Sequence, residues 1–217
     1  MTRPAIEQSK VTTTATSARS RSFGQDQGLS TVDRVGRWLS LRKLRAAVGP
    51  VAGRRVADVG CGYNADLAFH LFRRAEEIVL VDVAIDASLR SAPGVRVIEG
   101  HLPGSLATIE SDSLDVVICN NVIEHLWEPE LTLHELHRVL KPGGTCVLNV
   151  PTWRGKTFLE LAAFRLHIAP ATEMDDHKTY YDPRDLWPLL VAAGFTPSRI
   201  TCRRHKFGLN TFAVCRK

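Results

Sequence analysis

The stretch Val56-Ala57-Asp58-Val59-Gly60-Cys61-Gly62-Tyr63-Asn64-Ala65, with Val79-Leu80-Val81-Asp82-Val83 after it, decides the fold. An apolar run that enters a glycine reads as a buried parallel strand ending in a tight turn. Glycine reaches positive φ without steric cost and lets the backbone approach a ligand with no Cβ in the way. A helix is expected from near Asn64, with a return strand from Glu77 to Val83. Asp82 follows Asp58 by 24 residues (82 minus 58), room for that helix and strand. Its carboxylate therefore comes back beside the turn, where it can bridge the two hydroxyls of a ribose.

Asp58 sits inside an otherwise apolar strand, where a carboxylate is costly to bury without a partner. The partner expected is at the strand tip, either the amides of the turn or an ammonium group of a ligand. A dinucleotide-binding turn carries a third glycine and an apolar residue at this place, since a carboxylate repels a pyrophosphate. The electrostatics thus favour a cationic ligand over a diphosphate.

Working outward, apolar residues recur at helical spacing from Val32 to Val48 (Val35, Trp38, Leu39, Leu41, Leu44, Val48), with Ser30 or Thr31 as cap and Gly49-Pro50 as stop. Ala65 to Ala75 is expected as a helix with Leu67, Ala68, Leu71 and Phe72 inward. Val95 to Ile98 and Leu114 to Cys119 read as strands three and four. A helix from Glu128-Pro129 carries Leu133, Leu136 and Leu140, with Lys141 suiting its dipole and Pro142-Gly143-Gly144 ending it. Thr145 to Val150 is a fifth strand. Asp182-Pro183 opens a helix ending at Gly194, with Pro188 kinking it or delaying its start. Arg199 to Arg203 and Asn210 to Cys215 are two strands joined by a short basic turn, hence antiparallel. Strands alternating with helices predict a parallel sheet with right-handed crossovers.

Four segments together carry a resemblance: Asp58-Val59-Gly60-Cys61-Gly62, Val81-Asp82-Val83, Leu114 through Leu126, and Glu135-Leu136-His137-Arg138-Val139-Leu140-Lys141-Pro142-Gly143-Gly144. In order and spacing they resemble the class I S-adenosylmethionine-dependent methyltransferases, especially the small-molecule branch that includes the quinone-biosynthesis enzymes, over roughly residues 55 to 150. The resemblance implies an α/β, Rossmann-like, doubly wound sheet of seven strands, mostly parallel with a reversed C-terminal strand, and helices on both faces. It implies S-adenosyl-L-methionine as cofactor. Gly60, Cys61 and Gly62 would form the turn against which the cofactor lies, Asp58 would face its methionine portion, Asp82 would hold the ribose hydroxyls and Val83 would pack on adenine. Related enzymes commonly have an aspartate where His101 stands, so two readings of His101 remain, an adenine contact and an exposed loop residue.

Asn120, Asn121, Glu124 and His125 follow the fourth strand and are expected to line the passage between cofactor and acceptor. The plainer reading makes Glu124 a turn cap and His125 the filler of a polar gap. Residues 151–181 are expected as a substrate cover, with Trp153, Phe158, Phe164 and a polar cluster, Glu173-Met174-Asp175-Asp176-His177-Lys178-Thr179-Tyr180-Tyr181. Trp153, Tyr180 and Tyr181 are candidate substrate contacts. His177, with His125 as second candidate, is the expected general base, since imidazole titrates near neutrality. The competing reading is an exposed charged loop. The sequence alone converges no complete metal ligand set.

Composition bounds the rest. A chain of 217 residues with 44% hydrophobic and 24% charged residues supports one substantial core. No apolar run approaches a membrane span. Five cysteines without Cys-x-x-Cys spacing suggest reduced thiols and a cytoplasmic setting. The net charge of +5 resolves into +3 within residues 1–22, from Arg3, Lys10, Arg19 and Arg21 against Glu7, and +2 elsewhere. Residues 1–24 are expected as a disordered basic tail, lacking the apolar region of a secretory signal and much of the face of a transit helix. Residues 25–217 are expected as one domain. The absence of an Asn-Pro-Pro-aromatic element argues against methylation of nucleic-acid bases. The acceptor expected is a small molecule or a glycan or lipid precursor. Rival readings are a nicotinamide-dependent oxidoreductase and a non-catalytic S-adenosylmethionine-binding protein.

Overall fold

The computed structural model describes residues 22–23, 31–160 and 176–217. The expected tail through Arg21 and the central part of the expected cover, with Phe164, Glu173, Met174 and Asp175, lie outside the described residues.

Seven strands form one sheet: β1 (Arg55–Val59), β2 (Glu77–Asp82), β3 (Val95–Glu99), β4 (Leu114–Asn120), β5 (Leu140–Pro151), β6 (Ile200–His205) and β7 (Asn210–Arg216), in the order β3-β2-β1-β4-β5-β7-β6. The first five pair in parallel. β7 runs antiparallel to both β5 and β6. The chain winds outward in one direction through β2 and β3, then returns past β1 to β4. The crevice between β1 and β4 is thus the topological switch point, where ligands of such sheets bind.

Helices α1 (Thr31–Val48), α2 (Asp66–Phe72), α3 (Pro129–Val139), α4 (Trp153–Glu160) and α5 (Pro183–Ala192) accompany the sheet. One core face joins Leu44 and Val48 of α1 and Ala68 and Phe72 of α2 to Val56, Leu80 and Ile118. The other joins Leu133 and Leu136 of α3 and Leu186 and Leu190 of α5 to Ala57, Val59 and Val81. This division follows from the two-residue period of a strand, and it puts Asp58 on the same face as Val56, beneath α1 and α2.

Several local expectations are corrected. Trp38, expected on the inward stripe of α1, is 58% exposed. α3 ends at Val139, and Pro142-Gly143-Gly144 lies within β5 rather than terminating a helix. Leu114 pairs with Leu140 and Val116 with Thr145, so the extra residues form a bulge. Lys141 serves no helix dipole there. Its Nζ lies 2.9 Å from Asp115 Oδ2, which also accepts from Arg55 N–H at 2.9 Å. Burial pushes the Asp115 carboxyl up, but these donors outweigh it and hold it below the ordinary value. α5 continues through Pro188, with Asp185 accepting from Asp182 N–H at 2.9 Å and Pro183 in its first turn.

Candidate active site

The glycine turn is built by backbone and position. Gly60 and Gly62 both have φ of 75°. A Cβ on Gly60 would lie 2.1 Å from Val122 Cγ2, so the turn and the loop after β4 touch at a distance only glycine permits. Gly60 N–H and Cys61 N–H both donate to Val81 O, at 2.7 and 3.2 Å. Cys61 is buried, and burial pushes its thiol far up, which keeps it protonated. The turn also carries Phe23, whose carbonyl accepts from Tyr63 N–H at 2.9 Å. Phe23 thus lies against the glycine turn, although the sequence analysis assigns it to the tail.

Asp82 accepts from Gly62 N–H through Oδ2 at 2.8 Å and from Val83 N–H through Oδ1 at 2.7 Å. These bonds fix the carboxylate at the tip of β2, and each oxygen keeps acceptor capacity for hydroxyls. Asp58 differs. It is 1% exposed, and neither of its oxygens has a hydrogen-bond partner among the described residues. Of the two partners expected for it, the turn amides are excluded, because they serve Val81 and Asp82. Burial, and then the charge of Asp82, push the Asp58 carboxyl up to about 8. A buried acid next to a second acid is a niche for a cation and repels a pyrophosphate.

Past β4 the backbone turns through Asn121, at φ 56°. Asn149 of β5 is fully buried, and its Nδ2 donates to Asn120 Oδ1 at 3.0 Å and to Asn121 Oδ1 at 3.3 Å. Sequence reasoning missed Asn149. The available signal was its amide within the apolar run Val147-Leu148-Asn149-Val150. Glu124 is fully buried, and its carbonyl accepts from Lys178 N–H at 2.7 Å and Thr179 N–H at 3.3 Å. This carbonyl ties the described end of the cover to the loop after β4.

The candidate catalytic residues meet there. His125 Nδ1 lies 3.1 Å from Asp176 Oδ2, the His125 and His177 rings are 4.7 Å apart, and His177 Nδ1 lies 3.0 Å from Tyr180 Oη. Tyr180 is 5.5 Å from the half-exposed ring of Trp153. One ligating atom each from Glu124, His125 and His177 lies within 4.8 Å of the others, a convergence the sequence did not reveal. Tyr181, expected to contact substrate, belongs to the core, with its hydroxyl buried and without a partner among the described residues. Val83 is partly exposed beyond Asp82, and His101 is exposed.

A sheet that reverses direction between β1 and β4, with a glycine turn, an acid at the tip of β2 and a second, buried acid beside it, defines a doubly wound α/β protein with its candidate site at the switch point. A model of the methyltransferase domain matches residues 57–148. The ubiquinone biosynthesis O-methyltransferase of Bordetella avium is 29% identical over 171 residues, 74% of this chain and 69% of that protein. Its counterpart in Psychrobacter arcticus is 27% identical over 169 residues, 73% of this chain and 65% of the relative. The tRNA U34 carboxymethyltransferase of Methylococcus capsulatus is 32% identical over 174 residues, 75% and 51%. The chain therefore spans between about half and about two thirds of the length of these relatives. A SAM-dependent methyltransferase from Archaeoglobus fulgidus shares the fold, with a TM-score of 0.62 at 15% identity, covering 85% of this chain and 94% of that one. Residues 57–148 thus match the methyltransferase domain, and the chain as a whole is similar to methyltransferases in sequence and in fold.

Proposed function

We propose that this protein transfers the methyl group of S-adenosyl-L-methionine to an oxygen of a small-molecule or glycan/lipid-precursor acceptor. The observation that carries the reading is Asp58, a buried carboxyl without a hydrogen-bond partner among the described residues, set beside an acid anchored to a glycine turn. An amino-acid ammonium satisfies the first and ribose hydroxyls the second. Bound there, the cofactor supplies a sulfonium-activated methyl whose in-line transfer to oxygen leaves a neutral thioether and releases the acceptor proton.

The chain's own contribution is alignment, exclusion of water and handling of that proton. Positioning of this kind is worth up to roughly 7 to 11 kcal/mol in well-oriented systems, and a base adds less. Gly60, Cys61, Gly62, Asp82 and Val83 hold the nucleoside, and Asn120 continues that wall. His101, exposed after β3, is the candidate contact for the adenine amino group. Asn121, Glu124, Trp153 and Tyr180 line the acceptor side, with Tyr181 supporting from the core. His177 takes the proton, its ring oriented by Tyr180, and His125 is held beside it by Asp176. The aromatic rim of Trp153 and Tyr180 over a buried polar floor suits a ring-bearing or sugar-like acceptor.

The test is calorimetric binding of S-adenosylhomocysteine, followed by an isotopically labelled methyl donor in cell extract with untargeted product analysis. Binding with label in a small hydroxylated product supports the reading. Label in RNA overturns the acceptor class, and absence of binding overturns the whole proposal.

A further inference from the structure

The carboxyl end of β5 carries a buried amide to which the proposed reaction gives no role. Register sets Asn149 level with Asn120, two residues beyond the row of Asp58, Ile118 and Val147, so both asparagines point to the same sheet face as Asp58. Asn149 is fully buried and holds the loop after β4 by two routes. Its carbonyl accepts from Asn121 N–H at 2.8 Å, where the backbone turns at φ 56°. Its Nδ2 donates to Asn120 Oδ1 at 3.0 Å and to Asn121 Oδ1 at 3.3 Å. The Asn149 Oδ1 alone is left without a partner among the described residues. A side-chain amide can lie either way round, and its hydrogen-bond network decides which. Reversed, Asn149 would accept from both neighbours and bury an NH2 group with two orphaned donors instead of one orphaned oxygen, the more costly arrangement. The Oδ1 atoms of Asn120 and Asn121 are therefore the ends engaged by Asn149. Their Nδ2 groups, on one partly exposed and one exposed residue, donate to no described residue and are left for the passage.

We propose that Asn149 is a positioning residue. It locks the amides of Asn120 and Asn121 with their N–H groups toward the passage, so that this wall binds an acceptor oxygen that has lone pairs and no proton, a carbonyl or carboxylate beside the hydroxyl that takes the methyl. The inference rests on the methyl-transfer reading and narrows its acceptor to molecules with such a pair of oxygens. Donors fixed in advance need no reorganisation when the acceptor arrives. As the hydroxyl gives its proton to His177, charge that spreads to the neighbouring oxygen meets the same donors. An ammonium group on the acceptor would find only N–H donors at this wall and would be turned away.

The experiment follows side-chain amide hydrogen exchange by NMR and methyl transfer by label in the full-length protein. In wild type the Asn149 NH2 protons should exchange slowly and those of Asn120 and Asn121 fast. In Asn149→Asp the carboxylate can only accept, so both neighbours turn to donate to it and their NH2 protons become slow. Transfer from labelled S-adenosylmethionine into the small-molecule fraction of cell extract should fall at least about tenfold in Asn149→Asp and in Asn121→Asp. In Asn121→Asp the half-saturating amount of extract should rise, while calorimetric affinity for S-adenosylhomocysteine stays near that of wild type. Asn121→Asp keeps an oxygen for Asn149 Nδ2 and changes an exposed residue, so it decides if Asn149→Asp fails to fold. The proposal is overturned if the Asn120 and Asn121 protons of wild type exchange as slowly as those of Asn149, or if a folded variant transfers label as an active wild type does. Wild type that transfers no label overturns the functional reading, and this inference with it.

Discussion

Replacing Asp58 with asparagine tests the cation niche through two opposite effects. The Asp58 carboxyl is pushed from 3.8 up to about 8, first by burial and then by Asp82. Below pH 3.8 the folded and unfolded chains both hold the proton, and no stability is lost. Between about pH 4 and 8 unfolding releases the proton, so the group makes stability fall as the pH rises, until both states are ionised. A shift of about four units at about 1.4 kcal/mol each sets a ceiling near 5 to 6 kcal/mol. Water admitted to the crevice and local relaxation lower the penalty, to a working figure of about 2 kcal/mol. Asparagine keeps the shape and never ionises. The ligand-free variant should therefore melt roughly 4 to 8 °C above wild type at pH 9, with the gap closing toward pH 4. The same variant should bind S-adenosylmethionine at least about tenfold more weakly, on the order of 1.4 kcal/mol, having lost the charge that meets the ammonium. Thermal melts from pH 4 to 9 and calorimetry at pH 7.5 measure both. A gap that does not change with pH, or unchanged affinity, refutes the reasoning.

Other substitutions probe the remaining parts. Asp82→Ala removes the acceptor anchored by Gly62 and Val83 N–H and should raise the cofactor dissociation constant at least about tenfold, read by calorimetry. Gly60→Ala places a Cβ 2.1 Å from Val122 Cγ2 at φ 75°, and the urea midpoint should show a loss of at least about 2 kcal/mol. Adding Val122→Ala should recover part of that loss, and full stability of the single variant would contradict the packing described. His177→Ala should leave cofactor affinity near normal while turnover falls about a hundredfold, and full activity across neutral pH would remove His177 from the reaction.

Much of the fold was readable locally. β1, β2 and β4 are nearly unbroken apolar runs buried on both faces, and the turn between Val59 and Asp66 is marked by glycines that need positive φ. The register of β5 was not readable, because Pro142-Gly143-Gly144 stops a helix and forms a bulge with the same residues, and only pairing with Leu114 and Val116 decides between them. Trp38 fits the apolar spacing of α1, yet α1 buries Leu44 and Val48 and leaves the tryptophan out. The period states which residues share a face but not how wide a stripe the sheet covers.

At the candidate site, the chain order alone determined the end proposed for the nucleoside. A strand, a glycine turn and an acid after the next strand are local features, and the right-handed crossover leaves them one place to meet. The tertiary structure decided the acceptor end. Asn149 reaches Asn120 and Asn121 across a strand pair, and His177 reaches His125 only because the backbone at Lys178 and Thr179 is bonded to Glu124 O. Contacts between residues so far apart in sequence depend on loop closure and packing, which leave no periodic trace in the chain. Asp58 shows both. Its position in an apolar strand pointed to a partner, and the fold showed that the turn amides at Gly60, Cys61 and Gly62 are committed elsewhere.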